Sequence, residues 1–341
     1  MSTFAVQSSI ISEQAIVDRI LCRYELAEPV SCQFYKLGVN DTYRILSANR
    51  LYFLRIYTPM YSDPGAIQRE IDLLLALERS GLSVGAPVTD RDGEYTQAIS
   101  APEGQRYAVL LRGGKGRPVD VRDMEQVRAF GAWAGAFHKA ADCLDLPGVR
   151  APMDMQRMVY ANLAQFLPRL AGRPKDTAFA EHLAKHLAER LTAMPLNASD
   201  IGIIHGDLHS GNAVYHAMNG VQTFDFSDSA IGWRLYDLGV FLFTIRTSTP
   251  QKQQRSRAWN QFIRGYRTQR ALKREQLDQV LLFTVLKKFW LLGFHSTMGD
   301  RHGIGWLNED YYDAAFRRLR EASKELNMDE SNSPMQSSTH Q

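Results

Sequence analysis

Asp207, Asn212 and Asp225 stand in an order that suits phosphoryl transfer. The first two lie in "IIHGDLHSGN" (203–212), with four residues between them, and the third follows in "VQTFDF". Phosphoryl transfer needs a carboxylate to orient a hydroxyl and take its proton, and hard oxygen ligands to hold Mg²⁺ against phosphate oxygens. The same stretch contains His205 and His209, which alternate with Asp207 as metal ligands do. A zinc site, however, needs three or four converging ligands, and no further His, Cys or Asp cluster with ligand spacing accompanies them. The H-x-x-x-H spacing also lacks the glutamate of zinc peptidases, because Gly206 follows His205. His205 is therefore expected to anchor the loop by a hydrogen bond, and the acid and amide to carry the chemistry.

These residues need a scaffold, and hydrophobic periodicity outlines one. Residues 12 to 27 have helical spacing after Ser12, a capping residue. "SCQFYKLG", "DTYRILSA" and "LYFLRIYT" are short, rich in β-branched and aromatic residues, and separated by turn residues, which predicts an antiparallel meander. In "DPGAIQREIDLLLALERSGL", Asp63 suits the cap, Pro64 the first turn and Gly81 the stop of a helix. A hairpin is expected around Asp92-Gly93, and "QRYAVLLRGGKGR" reads as a buried strand entering a glycine-rich connector. Five strands and one intervening helix result. Beyond the connector the periods are helical, apart from short strands flanking the "HGDLHSGN" loop.

The predicted fold is thus α+β, with a small antiparallel β-rich N-lobe over 1–112 and a larger, mainly helical C-lobe over 113–326. Residues 327–341 are polar and are expected to form a disordered tail. A net charge of +3, with 45% hydrophobic and 23% charged residues, fits a globular protein with no nucleic-acid partner. Cys22, Cys32 and Cys143 make neither a disulfide framework nor a zinc ribbon. The N-terminus has no basic segment followed by an apolar one, and no run approaches a membrane span, so a cytoplasmic protein without a membrane partner is expected, as a monomer or homodimer.

"HGDLHSGN" followed by "FDFSDSAIGWRLYDLGVFL" resembles the aminoglycoside phosphotransferase and choline kinase family, and the likeness extends over most of the chain. "LGVNDTYRI" resembles its phosphate-covering turn, "FLRIY" its third strand, "IQREIDLLLAL" its paired-glutamate helix, and "FGAWAGAFHKA" the helix that follows the hinge. The resemblance implies a protein-kinase-like bilobal fold, ATP and Mg²⁺ as cofactors, and a hydroxyl-bearing small molecule as acceptor, of aminoglycoside, amino alcohol or hydroxy amino acid type. It gives Asp207 the catalytic role, Asn212 and Asp225 the metal, and Arg55, Glu70, Asn40 and Thr42 the nucleotide phosphates. Backbone around Val109 to Leu111 is expected to meet the adenine ring. Two departures stand out: Arg55 replaces the usual lysine, and Gly38 is the lone glycine of the covering turn, so Asn40, Asp41 and Thr42 must supply its donors.

Two other functional classes fit part of the pattern: a bacterial stress-type protein Ser/Thr kinase of the same fold, and a catalytically silent nucleotide-binding module. The intact Asp207, Asn212 and Asp225 oppose the second, and a C-terminal half able to wall in a small acceptor opposes the first. That wall is expected over 290–313, with Asp300, Trp306, Glu309 and Asp310 as acceptor contacts. Aromatic rings with carboxylates would suit a cationic acceptor.

Overall fold

Alternating inward and outward residues over 41–47 are the mark of a strand with one buried face, and that alternation holds in the computed structural model, which describes residues 4–144, 146, 152–195 and 197–328. The chain divides into two compact units, one of Met1–Ala151, Gly202–Ile231 and Thr244–Ala271, the other of Pro152–Ile201, Gly232–Phe243 and Leu272–Gln341.

The first unit begins with α1 (Glu13–Arg19), capped by the Ser12 hydroxyl, which accepts from the Ala15 amide. The meander follows as β1 (Val30–Leu37), β2 (Asp41–Ser47) and β3 (Arg50–Tyr57). Next comes α2 (Pro64–Arg79), started by Asp63 as expected, then β4 (Thr96–Ala101) and β5 (Gly104–Arg112). The sheet order is β1-β2-β3-β5-β4, antiparallel throughout. Tyr43, Ile45, Leu54, Ile56 and Leu110 pack on Ile16 and Tyr24 beneath it. One hairpin differs from expectation. The Asp92-Gly93 turn forms, but the Asp90 carboxylate accepts from the amides of Asp92 and Glu94 and from the Gln97 side chain, which makes a closed loop instead of paired strands. The hairpin is β4 with β5, turning at Pro102-Glu103 between Ala101 and Gly104. Arg106 is fully buried and reaches Asp41 at 2.7 Å and the Tyr57 carbonyl at 3.2 Å. The Asp41 side chain is therefore a buried ion-pair partner within the sheet.

After β6 (Arg117–Pro118) and α3 (Met124–Ala141), the second unit opens with α4 (Asn162–Phe166) and α5 (Pro174–Ala193). The loop region contributes β7 (Ile201–Ile204), β8 (Ala213–His216), β9 (Gly220–Thr223) and β10 (Ala230–Trp233). Then come α6 (Arg234–Ser248), α7 (Lys252–Tyr266), α8 (Arg274–Thr297), α9 (Gly299–His302) and α10 (Glu309–Glu325). Helices α3 and α7 approach closely in the first unit: a Cβ on Gly131 would lie 2.0 Å from the Phe262 carbonyl oxygen, so only glycine permits the contact. The small residues of "FGAWAGAFHKA" serve that crossing. In the second unit Phe166 meets Phe289 and Phe179 meets Phe316 across α4, α8, α5 and α10. Met328 is buried, its amide bonded to the Ser323 carbonyl, and residues 329–341 lie outside the described residues. Among the described residues no helix is long and apolar enough to cross a membrane.

Candidate active site

The loop after β7 owes its shape to Gly206, whose φ of +81° is open to glycine and strained for other residues. A Cβ there would stand 2.2 Å from the Asp228 carbonyl oxygen. His205 is fully buried beside it. Its Nδ1 accepts from the Asp207 amide at 3.3 Å, so the ring proton is assigned to Nε2, which donates to the Phe224 carbonyl at 3.2 Å. The anchoring role expected of His205 thus has two bonds behind it.

The Asp207 carboxylate is positioned by two neighbours. Asn212 Nδ2 donates to its Oδ2 at 3.1 Å and to its backbone carbonyl at 3.0 Å. His209 Nδ1 accepts from the Gly211 amide at 2.9 Å, which leaves the proton on Nε2, and that nitrogen lies 3.2 Å from Asp207 Oδ2. Sequence reasoning raised His209 only as a zinc ligand. Here it aims the acid, and among the described residues no group of three or more His, Cys, Asp or Glu is arranged to hold a metal.

Asp225 has a φ of +68°, a left-handed conformation that is costly for a residue with a side chain and recurs at functional sites. Arg55 Nη2 lies 3.0 Å from its Oδ1, and Ser227 Oγ donates to the same oxygen at 2.9 Å. Burial raises the Asp225 carboxyl, but Arg55, aided by Ser227 and His205 and opposed by Asp207, holds it below the usual carboxylate range. On the other side, Arg55 Nη1 donates to Glu70 Oε1 at 3.0 Å, and Tyr57 Oη donates to Glu70 Oε2 at 2.9 Å. Tyr57, absent from the sequence reading, is kept protonated by burial and by the Glu70 charge. It could have been noticed as the second polar group on the inward face of "LRIY". Arg55 is thus a fork between two carboxylates, which a lysine ammonium spans less well.

The oxygens left over fit a hard cation. Asn212 uses its nitrogen on Asp207, and among the described residues neither Asn212 Oδ1 nor Asp225 Oδ2 has a hydrogen bond. Two such oxygens suit Mg²⁺, which takes one or two protein ligands and completes its shell with phosphate and water.

The other expected contacts fall as follows. Asn40 Oδ1 accepts from the Thr58 amide at 3.0 Å, so its side chain braces the turn. Thr42 lies opposite Arg55 in the β2–β3 ladder. Val109 and Leu111 lie inside the β3–β5 ladder opposite Arg55 and Phe53, and the Gly113 amide still bonds to the Leu51 carbonyl. Their peptide groups therefore belong to the sheet. In the second unit, Trp306 Nε1 donates to the Gly303 carbonyl at 2.9 Å, and its ring meets His295 and Tyr311. Glu309 pairs with Arg173, which also binds Asp313. Asp310 is exposed in the first turn of α10, and the Asp300 side chain lies outside those described.

A family model described as "Phosphotransferase enzyme family" matches residues 34–272. An uncharacterised protein of Deinococcus radiodurans is 28% identical over 94% of this chain and 92% of its own. The amicoumacin kinase of Bacillus subtilis strain 168 is 23% identical over 91% of this chain and 92% of its own. Among solved structures, "Amicoumacin kinase hAmiN in complex with AMP-PNP, Ca2+ and Ami" superposes with a TM-score of 0.77 at 21% identity, covering 92% of this chain and 94% of that one.

Proposed function

The chain belongs to the phosphotransferase enzyme family, and from that membership we propose that this protein-kinase-like enzyme moves the γ-phosphate of ATP to a hydroxyl of a small molecule, with Mg²⁺ as cofactor. The observation that carries the reading is the Asp207 carboxylate, held by Asn212 and His209 beside oxygens of Asn212 and Asp225 that have no hydrogen bond among the described residues. Asp207 takes the proton of the attacking hydroxyl at a carboxylate oxygen and orients that hydroxyl in line. Asn212 Oδ1 and Asp225 Oδ2 would hold the metal, whose charge offsets that of the phosphate oxygens. Arg55, fixed by Glu70 and Tyr57, contacts the nucleotide phosphates. The connector at 113–116 meets the base, with Asn40 and Thr42 shaping the turn that covers the phosphates.

The small-molecule acceptor is supported by the name of the amicoumacin kinase relative and by the family itself. An ATP-dependent enzyme with the free thiols of Cys22, Cys32 and Cys143 also suits the cytoplasm. The test is transfer from ATP with Mg²⁺ across aminoglycosides, amino alcohols, hydroxy amino acids, sugars and a generic protein, with products identified by mass. Phosphorylation of a small hydroxyl compound, lost in Asp207→Asn, is the expected result. Transfer to the protein alone, or transfer that survives Asp207→Asn, overturns the reading.

A further inference from the structure

Helix α8 carries two adjacent lysines inside the apolar run "FTVLKKFWLLGF", and both are buried, Lys287 at 3% exposure and Lys288 at 8%. Lysine is almost never buried without a partner, because the ammonium loses its hydration. The Lys287 ammonium rests 3.8 Å from the Trp290 ring centroid. Lys288 has no hydrogen bond or ion pair with a described residue, and its ammonium stands over the Tyr311 ring at 5.4 Å. Burial, with Arg318 nearby, pushes the Lys288 pKa down to about 8, which leaves it largely charged at neutral pH.

The groups around it are donors and rings. His295 lies two turns further along α8, and burial together with Lys288 and Lys287 pushes its pKa down to about 4, so the ring is neutral. Its Nδ1 is 2.7 Å from Tyr311 Oη. Burial keeps that phenol protonated, so Tyr311 donates and the imidazole proton sits on Nε2, a second donor. Trp306 meets His295 and Tyr311 edge-on at 5.0 and 5.4 Å between centroids. In this unit Glu309 and Asp313 bind Arg173, and Asp176 binds Arg173 and Arg320.

We propose that Lys288, the Nε2–H of His295 and the Trp306–Tyr311 rings form a recognition site for the carboxylate of a small-molecule ligand. An anionic ligand here reverses the cationic contact expected of this segment from sequence. A buried charge without an internal partner is the arrangement that a ligand of opposite charge completes. Charge-assisted hydrogen bonds from an ammonium and an imidazole suit an oxyanion, and the rings supply apolar walls.

The test uses the full chain without nucleotide, and three probes: 4-hydroxybutyrate, its uncharged counterpart 1,4-butanediol, and inorganic phosphate. Amine acylation at limiting reagent is followed at Lys288 by peptide mass spectrometry. At ten times its Kd, 4-hydroxybutyrate should slow labelling of Lys288 about tenfold, as simple occupancy requires, and 1,4-butanediol should leave it unchanged. Ligand-observed NMR should show that 4-hydroxybutyrate binding is lost in Lys288→Met and retained in Lys288→Arg, with ATP binding intact in both. Equal shielding by the diol, no shielding by 4-hydroxybutyrate, or undiminished binding to Lys288→Met overturns the site. Shielding by phosphate alone overturns the carboxylate and makes the ligand a phosphate ester. No turnover enters this assay, so its failure leaves small-molecule phosphoryl transfer standing, and failed transfer leaves the anion site standing.

Discussion

The loop around Asp207 and the cluster around Lys288 treat charge in opposite ways. In the first, each ionic group has its partner in place: Asp207 meets His209 and Asn212, Asp225 meets Arg55, and Arg55 meets Glu70. In the second, carboxylates are drawn off to Arg173 while Lys288 is left to a ring face. Under the proposed function the paired groups are organised before substrate arrives, which is how enzymes avoid reorganisation cost at the reaction step. A group that recognises a ligand can instead wait for its counter-charge from that ligand, at the expense of stability.

Breaking the paired side should have the larger consequences. Asp207→Asn preserves size and removes the base, so kcat should fall by about 10²- to 10⁴-fold while ATP affinity changes little; stopped assays with a calorimetric titration of nucleotide check both halves. Arg55→Ala strands Glu70 and Asp225, and loss of one partner from such a buried pair costs about 3 kcal/mol or more. Its denaturation midpoint should drop and its KM for ATP rise, with Arg55→Lys milder on both measures. Stability and ATP kinetics both unchanged in the alanine variant would remove Arg55 from the site.

The unpaired side predicts a gain. The pKa of Lys288 is lowered to about 8 in the fold, against an ordinary 10.5. Below about pH 8 both states hold the proton and the fold bears the full cost of the buried ammonium. Between about 8 and 10.5 the unfolded chain keeps a proton that the folded one has released, so this residue's contribution to stability rises with pH and the cost vanishes above that range. Lys288→Met should therefore be more stable than the parent at pH 7, by on the order of 2 kcal/mol, with the difference shrinking through pH 8 to 10 in denaturant titrations. A destabilised methionine variant would mean that Lys288 is compensated after all. The smallest effect is expected for His209→Ala. Removing one hydrogen bond to a partly exposed carboxylate should lower kcat about fivefold, with no response to zinc chelation. Zinc lost with the histidine, or no change in rate, would deny it the positioning role.

Local signals were legible and remote ones were not. The helix α2 was set by Asp63, Pro64 and Gly81 within its own segment, and the reacting loop by a five-residue interval whose members bond to one another. The same locality made the five strands readable from alternation. The misplaced hairpin at Asp92-Gly93 shows the limit: turn chemistry was right, but whether strands flank a turn depends on what the Asp90 carboxylate binds.

Sequence by itself therefore determined the family, the β1–β3 meander and α2 of the sheet-bearing unit, and which residues of the loop after β7 bond to one another, because these depend on residue type and short spacing. Tertiary structure alone decided which charges are answered. Asp41 is taken by Arg106 65 positions away, Glu309 by Arg173 136 positions away, and Lys288 by no carboxylate among the described residues. Ion pairing depends on separation in space and on loss of water, and neither is encoded in the spacing of residues that the fold brings together from distant parts of the chain.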